Sequence, residues 1–231
     1  EELTLLSDKY MLVRLKLPKG KKLNFLPGQY INVIKNGVGQ RSYSIASSQE
    51  AISISLIIQK VTGGRFSDFW FQCAKVGDLL QIQGPFGSFY IRPNYLNSNV
   101  NTIFAATGSG IAPLLSMLSS HRNIISNNFH GLWSMKYYDD FFKRDFFDNT
   151  TTDRIWQKYL TKEDKKGFKS GRIVKPIMTL IEHILSESNR KIDVYACGNN
   201  AFINSLKNQI SELDSVHIGF YADAFLESGV E

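Results

Sequence analysis

The chain has 231 residues, enough for one large domain or two modest ones with separate cores. Hydrophobic residues make up 43% and charged residues 21%, ordinary globular values, and no apolar run is long enough for a helix to span a bilayer. The net charge is +6 and the pI near 9.2, but the lysines gather in turn-like stretches, Lys16 to Lys22 and Lys162 to Lys169, and form no regular helical stripe. That pattern fits a mild positive field drawing in an anionic nucleotide or an acidic partner better than a nucleic-acid surface.

The two cysteines, Cys73 and Cys197, are too few for an iron–sulfur cluster, which normally needs four ligands. Their different contexts argue against a disulfide, and free thiols suit a reducing compartment, so the expected location is the cytoplasm. The start shows no signal-peptide pattern. It opens on Glu1-Glu2-Leu3 without an initiator Met, where a first strand is expected. An excised piece with an upstream segment removed fits this start, a cluster-bearing domain being one candidate for that segment.

In chain order, Met11 to Leu17 alternates at its end and predicts a strand. Pro18 to Lys22 is a turn, and Pro27-Gly28 leads into a second strand through Val33. Asn36-Gly37-Val38-Gly39 is a hairpin signal, followed by a strand carrying Arg41-Ser42-Tyr43-Ser44-Ile45. In a strand, Arg41 and Tyr43 share one face and Ser44 the other, so one face offers a guanidinium and an aromatic ring together. Ile52 to Ile58 predicts another strand, and Gly63-Gly64-Arg65-Phe66-Ser67 opens a short helix. Asp78 to Gln83 and Ser88 to Ile91 complete six short strands around Gly84-Pro85-Phe86-Gly87. Such a run predicts a six-stranded antiparallel β-barrel over residues 1–97.

After the polar stretch Asn94 to Asn101, strands alternate with helices. Thr102 to Ala106 is an apolar strand, Thr107-Gly108-Ser109-Gly110 a turn, and Ile111 to Ser119 a helix with Pro113 near its start. Phe129 to Met135 is a strand, Ile173 to Leu185 a helix, and Lys191 to Ala196 a strand that runs into Cys197-Gly198. A helix from Ala201 to Ile210 and a strand from Val216 to Tyr221 follow. This alternation predicts an α/β doubly wound parallel sheet over residues 98–231.

In an open α/β sheet, ligands bind beyond the carboxyl ends of the strands. The turns at Thr107 to Pro113 and at Cys197-Gly198 lie at such ends, and their glycines let backbone N–H groups approach a pyrophosphate. The spacing is not G-x-G-x-x-G, because position 113 is Pro. On this turn alone, a plain strand-to-helix connection stays equally open. Seven segments stand in order: Pro27 to Tyr30, Arg41 to Ser44, Gly63 to Ser67, Gly84 to Gly87, Thr107 to Pro113, Cys197-Gly198 and Asp223-Ala224-Phe225. Together they resemble the ferredoxin–NADP reductase superfamily over nearly the whole chain. The resemblance is to the compact bacterial reductases that serve oxygenases, deoxysugar-forming enzymes or free flavins.

The resemblance implies FAD and NADPH or NADH as cofactors. It implies that Arg41, Ser42, Tyr43, Ser44 and Ile45 form the flavin seat. Arg41 would bind flavin phosphate, Tyr43 lie against the ring, and Ser44 hydrogen-bond near N5. Gly63, Gly64, Arg65, Phe66 and Ser67 would wrap the flavin phosphates with backbone N–H groups. Thr107, Gly108, Ser109, Gly110 and Pro113 would hold the nicotinamide nucleotide. Cys197 and Gly198 would sit near nicotinamide C4, and Phe225 would cover the flavin face. Ser44, Cys197 and Phe225 are thus the expected catalytic set.

The chain departs from the family pattern in two places. Where many relatives have Gly-x-Arg after the second α/β strand, it has Trp133-Ser134-Met135-Lys136. Lys136 suits a 2′-phosphate or a pyrophosphate, and no carboxylate closes the strand, which favours NADPH slightly and leaves NADH open. It also continues beyond Phe225, where plant-type relatives end on a stacking aromatic residue. The four histidines show no metal spacing. The aromatic run Tyr137, Tyr138, Phe141, Phe142, Phe146 and Phe147 reads first as packing. Three functions compete. In the first, bound FAD passes electrons to an iron–sulfur protein or domain. The others are reduction of free flavin and a non-catalytic nucleotide-binding relay subunit.

Overall fold

The computed structural model describes residues 2–93, 100–121, 128–142, 155–187, 190–213 and 217–225. Two compact units emerge, one of Glu1–Ile91 with Ala112–His121 and one of Arg92–Ile111 with Arg122–Leu226.

The first unit carries β1 (Glu2–Ser7), β2 (Tyr10–Lys16), β3 (Tyr30–Lys35), β4 (Gly39–Ser44), β5 (Ser53–Gln59) and β6 (Gln81–Phe86). They form two antiparallel three-stranded sheets, β1-β2-β5 and β4-β3-β6. A bridge between Ile45 and Leu56 joins the β4 end of one sheet to β5 of the other, as closure of a small barrel requires. Period-two alternation drives this core: Ile31 and Val33 of β3 are fully buried between more exposed neighbours. Ile45, Leu56 and Ile58 join them, and Phe66, Phe69 and Trp70 close one side. Those rings come from α1 (Arg65–Asp68) and the π-helical turn Phe69–Cys73 that continues it. Helix α2 (Ile111–Ser120) clusters with this unit, Ser116 Oγ donating to the Ser47 carbonyl at 2.7 Å.

Six strands form here, but not the six expected. Glu2–Ser7, where the opening of the chain suggested a first strand, pairs with β2, with an irregularity between Leu5 and Ser7. The expected strand from Ser88 to Ile91 is absent. Phe89 and Ile91 are buried, yet Gly87 at φ 95° turns the chain out of the sheet after Phe86. Alternating burial does not by itself imply pairing. The strand expected from Asp78 to Gln83 instead runs from Gln81 through Gly84-Pro85 to Phe86. As an edge strand β6 tolerates proline, and a bulge opposite Ile31 absorbs the extra residue.

The second unit is a six-stranded, all-parallel sheet in the order β10-β9-β8-β7-β11-β12. Its strands are β7 (Val100–Thr107), β8 (Phe129–Met135), β9 (Trp156–Leu160), β10 (Lys169–Ser170), β11 (Lys191–Asn199) and β12 (Ile218–Phe225). The polar stretch expected as a linker lies mostly outside the described residues, as do Val216, Phe146 and Phe147. Strands β9 and β10 are short and rich in polar residues, and carry no readable period. Helix α3 (Val174–Glu187) buries Val174, Ile177, Met178, Ile181 and Ile184, the i, i+3, i+4 spacing of one apolar face. Pro176 sits in its first turn, where no intrahelical N–H is needed. Helix α4 (Asn200–Ser211) starts at an Asn199 cap, whose side chain accepts the Phe202 N–H at 2.9 Å. Strand order reverses between β7 and β11, a topological switch point at which open α/β sheets form their crevice.

Ile177 has no exposed surface and lies within the sheet-and-helix core. Replacing it by Ala is expected to cost ~2–5 kcal/mol of stability, measured by urea denaturation. A loss below ~1 kcal/mol would contradict this packing.

Candidate functional site

In the first unit, three sequence motifs meet on one sheet. Tyr30 pairs with both Ser44 of β4 and Phe86 of β6, and the Tyr30 and Phe86 rings lie 5.8 Å apart. Gln29 ties the motifs further: its amide donates to the Gly87 carbonyl at 2.9 Å, and its carbonyl accepts the Ile45 N–H at 3.0 Å. Ile45 is fully buried, so its side chain is core. Ser44 is also buried, and Ser42 Oγ donates to Asn32 Oδ1 at 2.7 Å.

Tyr43 is held by Phe66 and by Trp70, of which the sequence did not single out Trp70. Trp70 Nε1 donates to its hydroxyl at 3.0 Å, and the Phe66 and Trp70 rings meet it edge-on, each at 6.3 Å. Burial pushes the phenol well above its ordinary range, with the Trp70 bond and the Arg41 charge opposing. Tyr43 is therefore a neutral, immobilised ring. The fourth motif adjoins it. Ser67 Oγ accepts the Val61 N–H at 2.7 Å and donates to the Gln59 carbonyl at 3.4 Å, closing the loop from β5. Arg65 Nη2 donates to the Gly37 carbonyl at 3.0 Å. The side chains of Arg65, Phe66 and Ser67 thus serve the fold, and backbone amides at the start of α1 are what this motif offers a ligand.

The other three motifs converge in the second unit at the switch point. A Cβ on Gly110 would lie 2.2 Å from the Cys197 carbonyl oxygen, and one on Gly198 would lie 2.0 Å from Thr107 Oγ1. The two turns interlock: Gly110 meets fixed backbone and accepts no side chain, while a side chain at Gly198 would have to displace the Thr107 hydroxyl. Register places Asp223, Ala224 and Phe225 beside Cys197, Gly198 and Asn199. Trp133 on β8 is fully buried, and its Nε1 donates to the Gly108 carbonyl at 3.1 Å. Register sets Thr107 against Ser134, so exposed Lys136 follows two residues past that pair. Its carbonyl accepts the Lys162 N–H at 3.0 Å. Pro113 occupies the first turn of α2.

Cys197 is completely buried. Burial pushes its thiol well above the usual range, the Asp223 carboxylate adds to that, and the Gly198 backbone bond opposes it. Burial also raises the Asp223 carboxyl. Cys197 is therefore a neutral thiol with no thiolate chemistry at ordinary pH. Arg41 to Ile45 and Gly63 to Ser67 thus share the first unit, whereas Thr107 to Gly110, Lys136, Cys197, Gly198 and Phe225 share the second.

Comparison with known families agrees with this division. The profile described as an oxidoreductase FAD-binding domain matches residues 1–91, and that of an oxidoreductase NAD-binding domain matches residues 104–208. The chain thus joins an oxidoreductase FAD-binding domain to an oxidoreductase NAD-binding domain, and its fold is that of a ferredoxin–NADP+ reductase. It is 31% identical to protein RfbI of Salmonella typhimurium, over 97% of its own length and 66% of that protein's. It is 29% identical to the CDP-6-deoxy-L-threo-D-glycero-4-hexulose-3-dehydrase reductase of Yersinia pestis, over 99% and 68% of the two lengths. The chain therefore spans about two thirds of these relatives. Its fold matches phthalate dioxygenase reductase, a modular structure for electron transfer from pyridine nucleotides to [2Fe–2S], with a TM-score of 0.72. That match is at 17% identity and covers 96% of this chain and 65% of the other.

The thiol environments give a direct check. Exposed Cys73 is expected to react with Ellman's reagent in the native protein, and buried Cys197 only after denaturation. Two rapidly reacting thiols in the native state would contradict the burial of Cys197.

Proposed function

We propose that this reductase takes a hydride from NAD(P)H onto bound FAD and passes electrons to an iron–sulfur protein or domain. The observation that carries this is the sorting of the motifs: four lie within the matched FAD-binding domain and two, Thr107 to Pro113 and Cys197-Gly198, within the matched NAD-binding domain, with Asp223 to Phe225 in register beside Cys197 to Asn199. The residues fit both groups chemically. Arg41 with the amides opening α1 makes an anion site for the flavin phosphates. A Cβ on Gly63, at φ 73°, would meet nothing within 4 Å, so this backbone is open to close approach. Tyr43, locked by Trp70, is the rigid wall for a flat ring, and the Ser44 hydroxyl serves a polar ring atom near N5. The flavin unit is read over 1–97 and the nucleotide unit over 98–231.

When bound, FAD takes two electrons as hydride and gives them up singly, which a nicotinamide does not do. The protein's part is position and electrostatics. Thr107 to Gly110 and Pro113 hold the nucleotide at the strand ends, where backbone N–H groups suit a pyrophosphate. Cys197 and Gly198 supply a neutral surface for the nicotinamide ring, because a protonated thiol places no charge beside a centre that loses hydride. Phe225 serves as the aromatic cover of the flavin. Lys136 favours NADPH through its charge near a 2′-phosphate, with NADH as the alternative. Cytoplasmic residence suits two free thiols, and no described helix is long and apolar enough to cross a membrane.

Flavin colour after gel filtration separates bound FAD from released flavin, and oxidation of NADPH and NADH with ferricyanide or added flavin tests turnover. A coloured protein that oxidises one nucleotide is expected. A colourless protein that reduces added flavin would replace this reading by free-flavin reduction, and no oxidation with flavin present would leave only a relay role. Arg41→Ala is expected to weaken FAD binding by about tenfold to a hundredfold, the loss of a charge-assisted phosphate contact. Unchanged affinity in a fluorescence titration would remove Arg41 from the site.

A further inference from the structure

We infer that Trp133 is a positioning residue for nicotinamide-nucleotide binding, because it sets the orientation of the Gly108–Ser109 peptide. This rests on the reading of Thr107 to Gly110 as the nucleotide turn. Trp133 is fully buried near the carboxyl end of β8, in register with Ala106 of β7. Its indole is wedged edge-to-face against Phe141 at 4.8 Å and Phe142 at 5.0 Å. So held, its Nε1–H reaches across to the Gly108 carbonyl at 3.1 Å.

The consequence follows from peptide geometry. In a trans peptide the C=O and the next N–H point in opposite directions. With the Gly108 carbonyl drawn toward the buried indole, the Ser109 N–H points away from it. The turn stands where strand order reverses and the crevice forms. In the proposed role this N–H donates to a pyrophosphate oxygen on nucleotide binding, whereas a flipped peptide would put a carbonyl there and repel it. Gly108 sits at φ 58°, a conformation glycine enters and leaves with little steric cost. The residue that makes the turn possible therefore also makes the flip easy, and the indole bond opposes it. Tryptophan suits the task because its N–H donates and never accepts.

Trp133→Phe keeps a ring in the cluster and removes the donor. The prediction is a rise of about tenfold in the Kd of NADP+ or NAD+, equivalent to ~1.4 kcal/mol, by calorimetric titration of the full chain loaded with FAD. NAD(P)H KM should rise in step, while kcat and FAD affinity stay at wild-type values. Phe142→Leu keeps the donor and the Phe141 contact that holds the indole, and should change nucleotide Kd by less than about threefold. Equal binding by Trp133→Phe and wild type would overturn the inference, as would equal losses in both variants or a fall in kcat alone. If neither NADP+ nor NAD+ binds the wild type, the nucleotide reading of the turn falls first. Should Trp133→Phe not fold, hydrogen exchange on the wild type decides. Added NADP+ should protect the 107–111 backbone, and unchanged exchange there would overturn the inference.

Discussion

The second unit depends on a steric constraint where two parallel strands end side by side. Gly110 faces the Cys197 carbonyl with no room for a methyl group, and Gly198 lies against the Thr107 hydroxyl. Because the strands lie at the switch point, this contact makes one wall of backbone from two turns far apart in sequence. A wall of backbone offers N–H groups where side chains would otherwise intervene. Cys197 is itself completely buried beside this contact, which keeps its thiol protonated.

The first unit meets a different demand. A flat aromatic cofactor needs a rigid surface, and a lone tyrosine on a strand has rotamers to spare. Trp70 removes that freedom by holding the Tyr43 hydroxyl, while Phe66 and Trp70 pack its edges. Both partners come from the short helix and π-helical turn after the Gly-Gly motif. One segment thus follows the Gly-Gly motif and brings its rings to the tyrosine. In each unit a buried tryptophan donates its N–H to a group of the candidate site. Burial in a low-dielectric setting makes such bonds hard to give up.

Much of the architecture was legible in the sequence. Met11 to Leu17, Ile52 to Ile58 and Phe129 to Met135 carried clear periods and became β2, β5 and β8 within a residue or two. The Gly-containing turns lay where strand met helix. The failures share a cause. Ser88 to Ile91 alternated without a partner, and β9 and β10 were too short to show a period. A period reports which face of a segment is buried, and pairing depends on what lies alongside.

The sequence by itself determined the fold class, the two-part organisation and the residue types that a flavin and a nicotinamide nucleotide require. Those follow from local patterns: alternation, helical spacing, and glycine at strand ends. Only the tertiary structure decided which groups support the candidate site. It showed the side chains of Arg65, Phe66 and Ser67 engaged within the fold, and Cys197 as a buried thiol. It also revealed Trp70 and Trp133 as donors, although their hydrogen-bond partners lie 27 and 25 residues away in sequence. Contacts of that separation leave no periodic trace, because they form only once the sheets have assembled.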